Sequence, residues 1–191
     1  MKKTGLAFLL SLFFCGLALG ESFTVKLRSS VFVPQDNFFE EIYGEGFACG
    51  IEIDIPLWKK IDLWALGNYY SKQGKLTYTQ DPTEVKILPI EWGLRYRFMS
   101  KKINLYTSIG LGYASLYESN FIGDVSTKGF GYNVSLGGFL FLFHNLIFDV
   151  FVHYSWYNVH PTSIKVNIGG YDIGVAIGYS FGKKRTNPSI Q

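Results

Sequence analysis

The chain has 191 residues, a formal net charge of +3 and two cysteines. So small a charge argues against nucleic-acid binding, which depends on a dense basic surface. Aromatic residues make up 18% of the sequence, and it contains 21 glycines, a composition that is unusual for a soluble domain. One cysteine lies within the first 20 residues, so the other, Cys49, cannot form an internal disulfide or a multi-cysteine metal site in the folded part.

Residues 1–20 have the three parts of a secretory signal peptide. Lys2 and Lys3 form the basic start, an apolar stretch follows, and Ala18-Leu19-Gly20 fits a small-x-small cleavage site. The apolar stretch is shorter than the roughly 20 residues that a spanning helix needs. Cys15 admits a lipoprotein alternative, although large apolar residues precede it. We therefore predict a cleaved signal peptide and exclude it from the fold.

Eight segments of the remaining chain alternate between bulky apolar and small or polar residues, which is the period of a β-strand. In chain order they span Ser22–Val33, Gly46–Leu57, Ile61–Ser71, Lys86–Met99, Ile103–Tyr117, Gly129–Leu142, Leu146–Tyr157 and Tyr171–Phe181. The third segment has no clear phase, because Trp64 and Leu66 alternate with Leu63 and Ala65. In the others, one face is apolar and the opposite face is small or charged.

The connections between these segments alternate in length. Short ones lie near residues 58–60, 100–102 and 143–145, and longer polar ones near residues 34–45, 72–85, 118–128 and 158–169. This alternation is typical of an up-and-down barrel with short periplasmic turns and long external loops. A soluble, lipocalin-like barrel would turn the bulky face inward, where eight strands enclose too little room for it. We therefore predict an all-β fold, an eight-stranded antiparallel up-and-down transmembrane β-barrel over residues 21–181, followed by a short periplasmic tail over residues 182–191.

Nine charged residues fall on the inward-facing side of the predicted strands: Lys26, Arg28, Glu52, Asp54, Glu91, Arg95, Arg97, Asp149 and Asp172. Four are basic and five are acidic, so they can pair with one another. Unpaired charges in a narrow lumen would be costly, and an eight-stranded barrel is just wide enough for side chains to fill. We therefore favour a salt-bridged plug over an ion pathway.

Residues 87–98, residues 105–113 with their Gly-Leu-Gly-Tyr, and residues 170–181 carry a family likeness. They resemble the small outer-membrane barrel families of Gram-negative bacteria: the OmpA transmembrane domain, OmpX and Ail, and the opacity-type proteins. The resemblance implies an outer-membrane protein in contact with lipid and lipopolysaccharide. It also implies that the bulky face of the last strand is a signal read by the barrel-assembly machinery: Tyr171, Ile173, Val175, Ile177, Tyr179 and Phe181. Chains of these families usually end on that aromatic residue, whereas this one continues to Gln191.

His153 and Ser155 share one face of the seventh strand, and a base beside a hydroxyl can make a nucleophile. The stretch resembles the His-x-Ser of lipid A deacylases of the PagL type, which makes these two residues catalytic candidates. However, Trp156 stands where that family has asparagine, and no acid is clearly placed to orient the histidine. The phase also turns both side chains inward, away from lipid. We therefore expect no enzymatic activity and keep lipid A modification as an alternative.

The predicted connections carry the remaining candidates. His144 and His160 are too scattered for a metal site, so we predict neither a metal nor another cofactor. An apolar set in the external loops either forms a partner surface or rests on the barrel rim: Phe38, Phe39, Tyr43, Phe121 and Ile122. We expect a monomer with a structural or surface-interaction role, carried by four external loops that contact an extracellular partner. The alternative is a small pore or conduit for small solutes.

Overall fold

The computed structural model describes residues 22–77, 80–99, 103–143, 145–159 and 166–182. The predicted signal peptide, nearly all of the predicted tail, His144 and His160 lie outside these residues.

The described chain consists of nine strands and one short helix. The strands are β1 (Phe23–Pro34), β2 (Gly46–Pro56), β3 (Ile61–Lys75), β4 (Pro82–Met99), β5 (Asn104–Asn120), β6 (Gly123–Phe143), β7 (Leu146–Val159), β8 (Val166–Asn167) and β9 (Gly170–Phe181). The helix, α1, spans Asn37–Tyr43 between β1 and β2. Among the described residues, no helix is long and apolar enough to cross a membrane.

The sheet closes on itself. Neighbouring strands are antiparallel, β1 pairs with both β2 and β9, and β7 pairs with both β6 and β9. The pairing of β1 with β9 runs from Phe23 opposite Phe181 to Pro34 opposite Gly170, so the first and last long strands meet along their whole length. β8 is a two-residue addition to the end of β7. The predicted all-β, eight-stranded antiparallel barrel is therefore confirmed, with β1–β7 and β9 as its wall.

The outer face of this wall is apolar. Large hydrophobic side chains are exposed around its circumference: Leu27, Ile51, Leu94, Ile109, Leu111, Leu136, Val150, Ile173 and Ile177. An apolar surface this extensive would cause aggregation in water, but it is the surface that lipid requires. Closed barrels with such a band are outer-membrane proteins. The protein is therefore an integral outer-membrane β-barrel.

Aromatic side chains ring both ends of the apolar band. The short turns between β2 and β3 and between β6 and β7 mark the periplasmic end. At the extracellular end, three pairs of facing rings lie 4.8 to 6.4 Å apart: Tyr113–Phe130, Tyr132–Trp156 and Tyr154–Tyr171. At the periplasmic end the ring consists of Phe23, Tyr96, Phe98, Tyr179 and Phe181. Aromatic residues are enriched at both interfaces because one part of the ring system prefers lipid and the other water.

The register settles the phase of β3, which the alternation left open. The residues that point inward are Asp62, Trp64, Leu66, Asn68 and Tyr70. Leu66 lies opposite Glu52 of β2 and Glu91 of β4, and both of these are inward residues. Because side chains directly opposite each other share a face, the neighbours fix the orientation of the whole strand.

The prediction of four long external loops is wrong for two of them, because the strands on either side stay paired through most of each stretch. β3 and β4 stay paired as far as Lys75 opposite Pro82, and β5 and β6 as far as Asn120 opposite Gly123. These stretches are polar because they lie beyond the lipid, and an antiparallel strand can be solvated without ending. The strands β3–β6 therefore extend past the outer aromatic ring as a sheet. The first predicted loop contains α1, and the fourth contains β8 within its described part.

We predict that an arginine in the middle of the lipid-facing wall destabilises the barrel. Val175 lies on the outer face of β9, midway between Tyr171 and Tyr179 of the two aromatic rings. Val175→Arg should cost about 2–4 kcal/mol of unfolding free energy, because the guanidinium is held near the bilayer centre. The control is Val33→Arg, because Val33 lies opposite Tyr171, at a depth where the cost falls to about 0–1 kcal/mol. Urea unfolding in lipid vesicles measures both costs, and equal values would contradict the lipid-facing assignment.

Candidate functional site

All nine charged residues predicted to face inward are buried in the barrel interior. Lys26 is at their centre, because its Nζ lies 2.9 Å from Glu52 Oε1 and 2.8 Å from both Asp54 Oδ2 and Asp149 Oδ2. Lys26 stands directly opposite Glu52 in the pairing of β1 with β2, so the register itself brings these two charges together. The name ion cluster is used here for Lys26, Arg28, Glu52, Asp54, Asp62, Arg95, Arg97 and Asp149.

Three arginines complete the ion cluster. Arg95 Nη1 and Arg28 Nη1 lie 2.8 and 2.6 Å from the two carboxylate oxygens of Glu52. Arg97 pairs with Asp62 at 2.7 Å, and this acid was missed by the sequence analysis because it belongs to the strand of unclear phase. Each basic residue has a carboxylate partner, which offsets the large desolvation cost of burying its charge.

Large side chains also fill the interior, and the expectation that bulky residues face only outward is wrong. The buried aromatic residues beside the ion cluster are Trp64, Tyr106, Phe139 and Phe151. The Tyr106 ring lies 4.2 Å from the guanidinium carbon of Arg95, and the Phe151 ring 3.6 Å from that of Arg28, a geometry that allows cation–π attraction. Glycines make the room for these rings. A Cβ on Gly110 would lie 2.8 Å from Trp64, and one on Gly137 would collide with Tyr106.

On the extracellular side of the ion cluster, His153 contacts side chains from two other strands. Its Nδ1 lies 2.9 Å from Ser135 Oγ, directly opposite on β6, and its Nε2 lies 3.1 Å from Glu91 Oε2, across the barrel on β4. Tyr157 donates a hydrogen bond to the other oxygen of Glu91. The acid that the sequence could not place is therefore Glu91. The hydroxyl that contacts His153 is that of Ser135 rather than Ser155.

The catalytic candidates are buried in the barrel interior. His153, Ser155 and Ser135 keep only 1%, 4% and 3% of their surface exposed. Their neighbours Tyr154 and Trp156 are the residues of β7 that belong to the outer aromatic ring. A serine, histidine and glutamate in contact can activate a hydroxyl, but a lipid-cleaving serine has to meet lipid. Within the described residues, no group of three His, Cys, Asp or Glu side chains could hold a metal ion either.

An apolar layer lies at the extracellular end of the lumen. α1 begins after Asp36, whose side chain accepts hydrogen bonds from the backbone amides of Phe38 and Phe39, an N-cap that satisfies otherwise unpaired donors. The helix places Phe39 and Tyr43 in the barrel mouth, where the ring centroids of Phe39 and Tyr70 lie 6.5 Å apart. This layer is called the cork, and its buried members are Phe32, Phe39, Tyr43, Ala48, Tyr70, Val85, Ile87, Ala114, Leu116, Tyr157, Val159 and Ile168.

The five apolar residues predicted in the external loops therefore separate into two groups. Phe39 and Tyr43 belong to the cork, and the Tyr43 hydroxyl lies 3.0 Å from Thr83 Oγ1. Burial raises the pKa of Tyr43 above its ordinary value, so this phenol stays neutral. Phe38, Phe121 and Ile122 instead keep 79%, 66% and 75% of their surface exposed. Only this second group can contact a partner.

The residues of the predicted assembly signal form one outward-facing row on β9: Tyr171, Ile173, Val175, Ile177, Tyr179 and Phe181. Phe181 stacks on Phe23 with ring centroids 4.8 Å apart, where the last strand closes against the first. The row faces lipid in the folded barrel. Its recognition by the assembly machinery stays a prediction.

We predict that removing the ammonium of Lys26 costs far more stability than removing one at the surface. Lys26→Met keeps a side chain of similar length but leaves Glu52, Asp54 and Asp149 without their shared cation. Breaking a buried ion pair costs about 3–5 kcal/mol of unfolding free energy. Lys86→Met is the matched control, because Lys86 pairs with Glu84 at 3.0 Å with both side chains about 40% exposed, and such pairs contribute about 0–1 kcal/mol. Urea unfolding in detergent micelles measures both variants. Similar costs would show that the buried contacts do not stabilise the fold.

No protein-family model matches the chain, and a comparison with curated proteins finds no match either. Solved structures do resemble it. Neisserial surface protein A is 14% identical, with 84% of this chain and 99% of that chain covered and a TM-score of 0.66. OprG from Pseudomonas aeruginosa is 16% identical, with 85% and 96% covered and a TM-score of 0.58. Ail, the attachment invasion locus protein of Yersinia pestis, is 14% identical, with 84% and 98% covered and a TM-score of 0.52. At these identities the likeness concerns the fold alone: the chain has the fold of the small eight-stranded outer-membrane β-barrels of bacteria.

Proposed function

We propose that the protein is a closed outer-membrane scaffold with a structural or surface-interaction role, and that its contacts are made by the extracellular end. The observation that carries this proposal is the filled lumen. The ion cluster, the contacts of His153 and the cork follow one another along the interior. A lumen filled in this way favours a function outside the barrel. Export by residues 1–20 and recognition of the terminal row by the assembly machinery belong to the same proposal.

The extended β3–β6 sheet supports the proposal because it gives the extracellular end a firm surface. At the tip of the β5–β6 hairpin, Asn120 Oδ1 accepts hydrogen bonds from the amides of Ile122 and Gly123, at 2.9 and 3.3 Å. Gly123 has a φ of 150°, which favours glycine. The turn is therefore held by its own side-chain contacts, with only two residues between the paired strands.

Phe121 and Ile122 are those two residues, and both are largely exposed. The central positions of two-residue hairpin turns usually carry glycine, asparagine or aspartate. Covering two large apolar side chains that are exposed to water lowers the free energy of the system, so a partner that covers them binds more tightly. This favours a contact surface over an ordinary solvated turn.

A cleft of about 970 Å³ beside the sheet also supports binding at this end. It lies between α1 and the extracellular ends of β3–β5, and amide and hydroxyl side chains contribute to its lining: Gln73, Thr77, Gln80, Thr83, Ser119 and Asn120. Barrel mouths are frequent ligand sites, because a concave surface buries more of a ligand than a flat one.

The charge of the extracellular end narrows the class of partner. Among its described residues, eight are acidic, namely Asp36, Glu40, Glu41, Glu45, Asp81, Glu84, Glu118 and Asp124, and four are basic, namely Lys72, Lys75, Lys86 and Lys128. Hydrogen bonds from Ser119 and Tyr117 hold the pKa of Asp124 below its ordinary value, so the carboxylate beside the tip stays charged. Ail has been solved in complex with the heparin analogue sucrose octasulfate. This acidic end would repel such a polyanion, so we propose a neutral or basic partner with an apolar contact site.

We predict that the hairpin tip carries the contact. The double variant Phe121→Ser, Ile122→Asn removes both apolar side chains and keeps residues that suit this turn, because neither central residue has a positive φ. Attachment of expressing bacteria to cultured epithelial cells should fall by at least about tenfold, because covering each large apolar side chain contributes roughly 1.5–3 kcal/mol. Phe143→Asn is the control, since Phe143 is equally exposed but lies at the periplasmic end. Unchanged attachment of the tip variant, with normal folding shown by heat-modifiable migration in gels, would exclude the tip as the contact.

A small pore is the alternative function, and bilayer recording separates it from the scaffold. The refolded protein should produce no discrete current steps in a planar bilayer, because buried side chains fill the lumen. Steps that change size in Arg95→Ala would instead mean that the ion cluster lines a path. Lys86→Ala, on the outer surface, is the control that leaves any such steps unchanged.

A further inference from the structure

The buried charges divide into a matched group and an unmatched one. In the ion cluster, four basic residues face four acidic ones. Two further carboxylates, Glu91 and Asp172, are only 2% and 4% exposed. Glu91 contacts His153 and Tyr157, and Asp172 accepts a hydrogen bond from Ser30 Oγ at 2.8 Å. His153 thus contacts Glu91 and lies opposite Asp172 in the pairing of β7 with β9, while the guanidinium of Arg28 is bound to Glu52.

A small cavity lies beside these two acids, next to the cork. Its volume is about 20 Å³, which is room for one water-sized particle. The cork residues Phe32, Tyr70, Ile87 and Ile168 form most of its apolar lining, and Asn68, Glu91, Ser155 and Asp172 form most of its polar lining. The cavity is therefore bounded by both oxygen-bearing and apolar side chains.

Asn68 provides the observation that points to a ligand. Its side chain is 8% exposed, and its Oδ1 has no hydrogen-bond partner among the described residues. Buried polar atoms in folded proteins almost always have a partner, so an unpaired one calls for an occupant. The pairing of β3 with β4 is also interrupted here. It breaks off after Gly67 opposite Ile90 and resumes in the same register at Tyr70 opposite Ile87, and Pro89 lies in this interval without an N–H to donate.

We propose that this cavity binds one small monovalent cation, Na⁺, through oxygen atoms of Asn68, Glu91, Ser155 and Asp172. Hard cations take oxygen ligands, and an unpaired amide oxygen beside two carboxylates is such a set of donors. A divalent ion fits less well, because it needs six or more ligands or several retained waters, and the cavity has room for one particle. The cation adds positive charge at the level of the barrel where the two unmatched acids lie.

The test compares stability in Na⁺ and in choline at equal ionic strength. The mature protein is refolded in detergent micelles, and its urea unfolding midpoint is followed by tryptophan fluorescence. A ligand bound only by the folded state raises the midpoint as its concentration rises. We expect a higher midpoint in Na⁺ than in choline for the natural sequence, and no such difference for Asn68→Leu, which removes the amide oxygen at similar volume.

Two further variants keep the test decisive. Ser108→Ala removes a buried hydroxyl that has no hydrogen-bond partner among the described residues, at a position outside the cavity lining, and should keep the full Na⁺ effect. Ser155→Ala should reduce the apparent Na⁺ affinity at least tenfold and serves if Asn68→Leu does not fold. The proposal is overturned if Na⁺ and choline give the same midpoint, since protons alone would then neutralise the acids. It is also overturned if the Na⁺ effect persists in the folded cavity variants, because the ion would then act elsewhere, for instance on the acidic extracellular end.

Discussion

Lipid offers no hydrogen-bond partner to a backbone amide, and this constraint underlies the whole structure. A sheet in the membrane must therefore close, as it does where β1 meets β9. Closure with eight strands leaves a lumen that is just wide enough for side chains to fill. The inward residues must then satisfy one another. The ion cluster, the contacts of Glu91 with His153 and Tyr157, and the glycines that admit Trp64 and Tyr106 all follow from that one requirement.

Much of the barrel could be predicted from alternation alone, because lipid on one side and a crowded lumen on the other impose opposite chemistry on successive residues. β9 is the clearest case, with Tyr171, Val175 and Phe181 on one face and Asp172 and glycines on the other. The orientation of β3 could not be predicted, because both of its faces carry large residues. Trp64 and Leu66 are buried inside, where hydrophobicity cannot distinguish them from Leu63 on the lipid side. Only pairing with the neighbouring strands settles the orientation. The strand ends were misjudged for a related reason, because a strand that lies beyond the lipid carries polar residues and its sequence then resembles that of a loop.

Most charged members of the interior site were predictable, but their contacts were not. The parity of each strand places Lys26, Glu52 and Arg95 inside, whereas the contact between His153 and Glu91 joins strands that are not neighbours and exists only once the barrel closes. Ser135 was overlooked because it acquires its role from the register of β6 with β7. α1 was missed because seven residues are too few to show a helical period. Its cap at Asp36 and the four-residue spacing of Phe39 and Tyr43 were the available signals.

The extension of β5 and β6 beyond the outer aromatic ring sets how far the protein reaches from the cell. From Tyr113 in that ring to Asn120 at the hairpin tip the strand continues unbroken for seven residues, which is about 24 Å of strand and roughly 18 Å of height once the usual tilt is included. The tip therefore stands only a short distance above the headgroups. Long surface polysaccharides would cover Phe121 and Ile122, and short ones would leave them open. The composition of the surrounding glycolipid layer would then control the access of a partner to the tip.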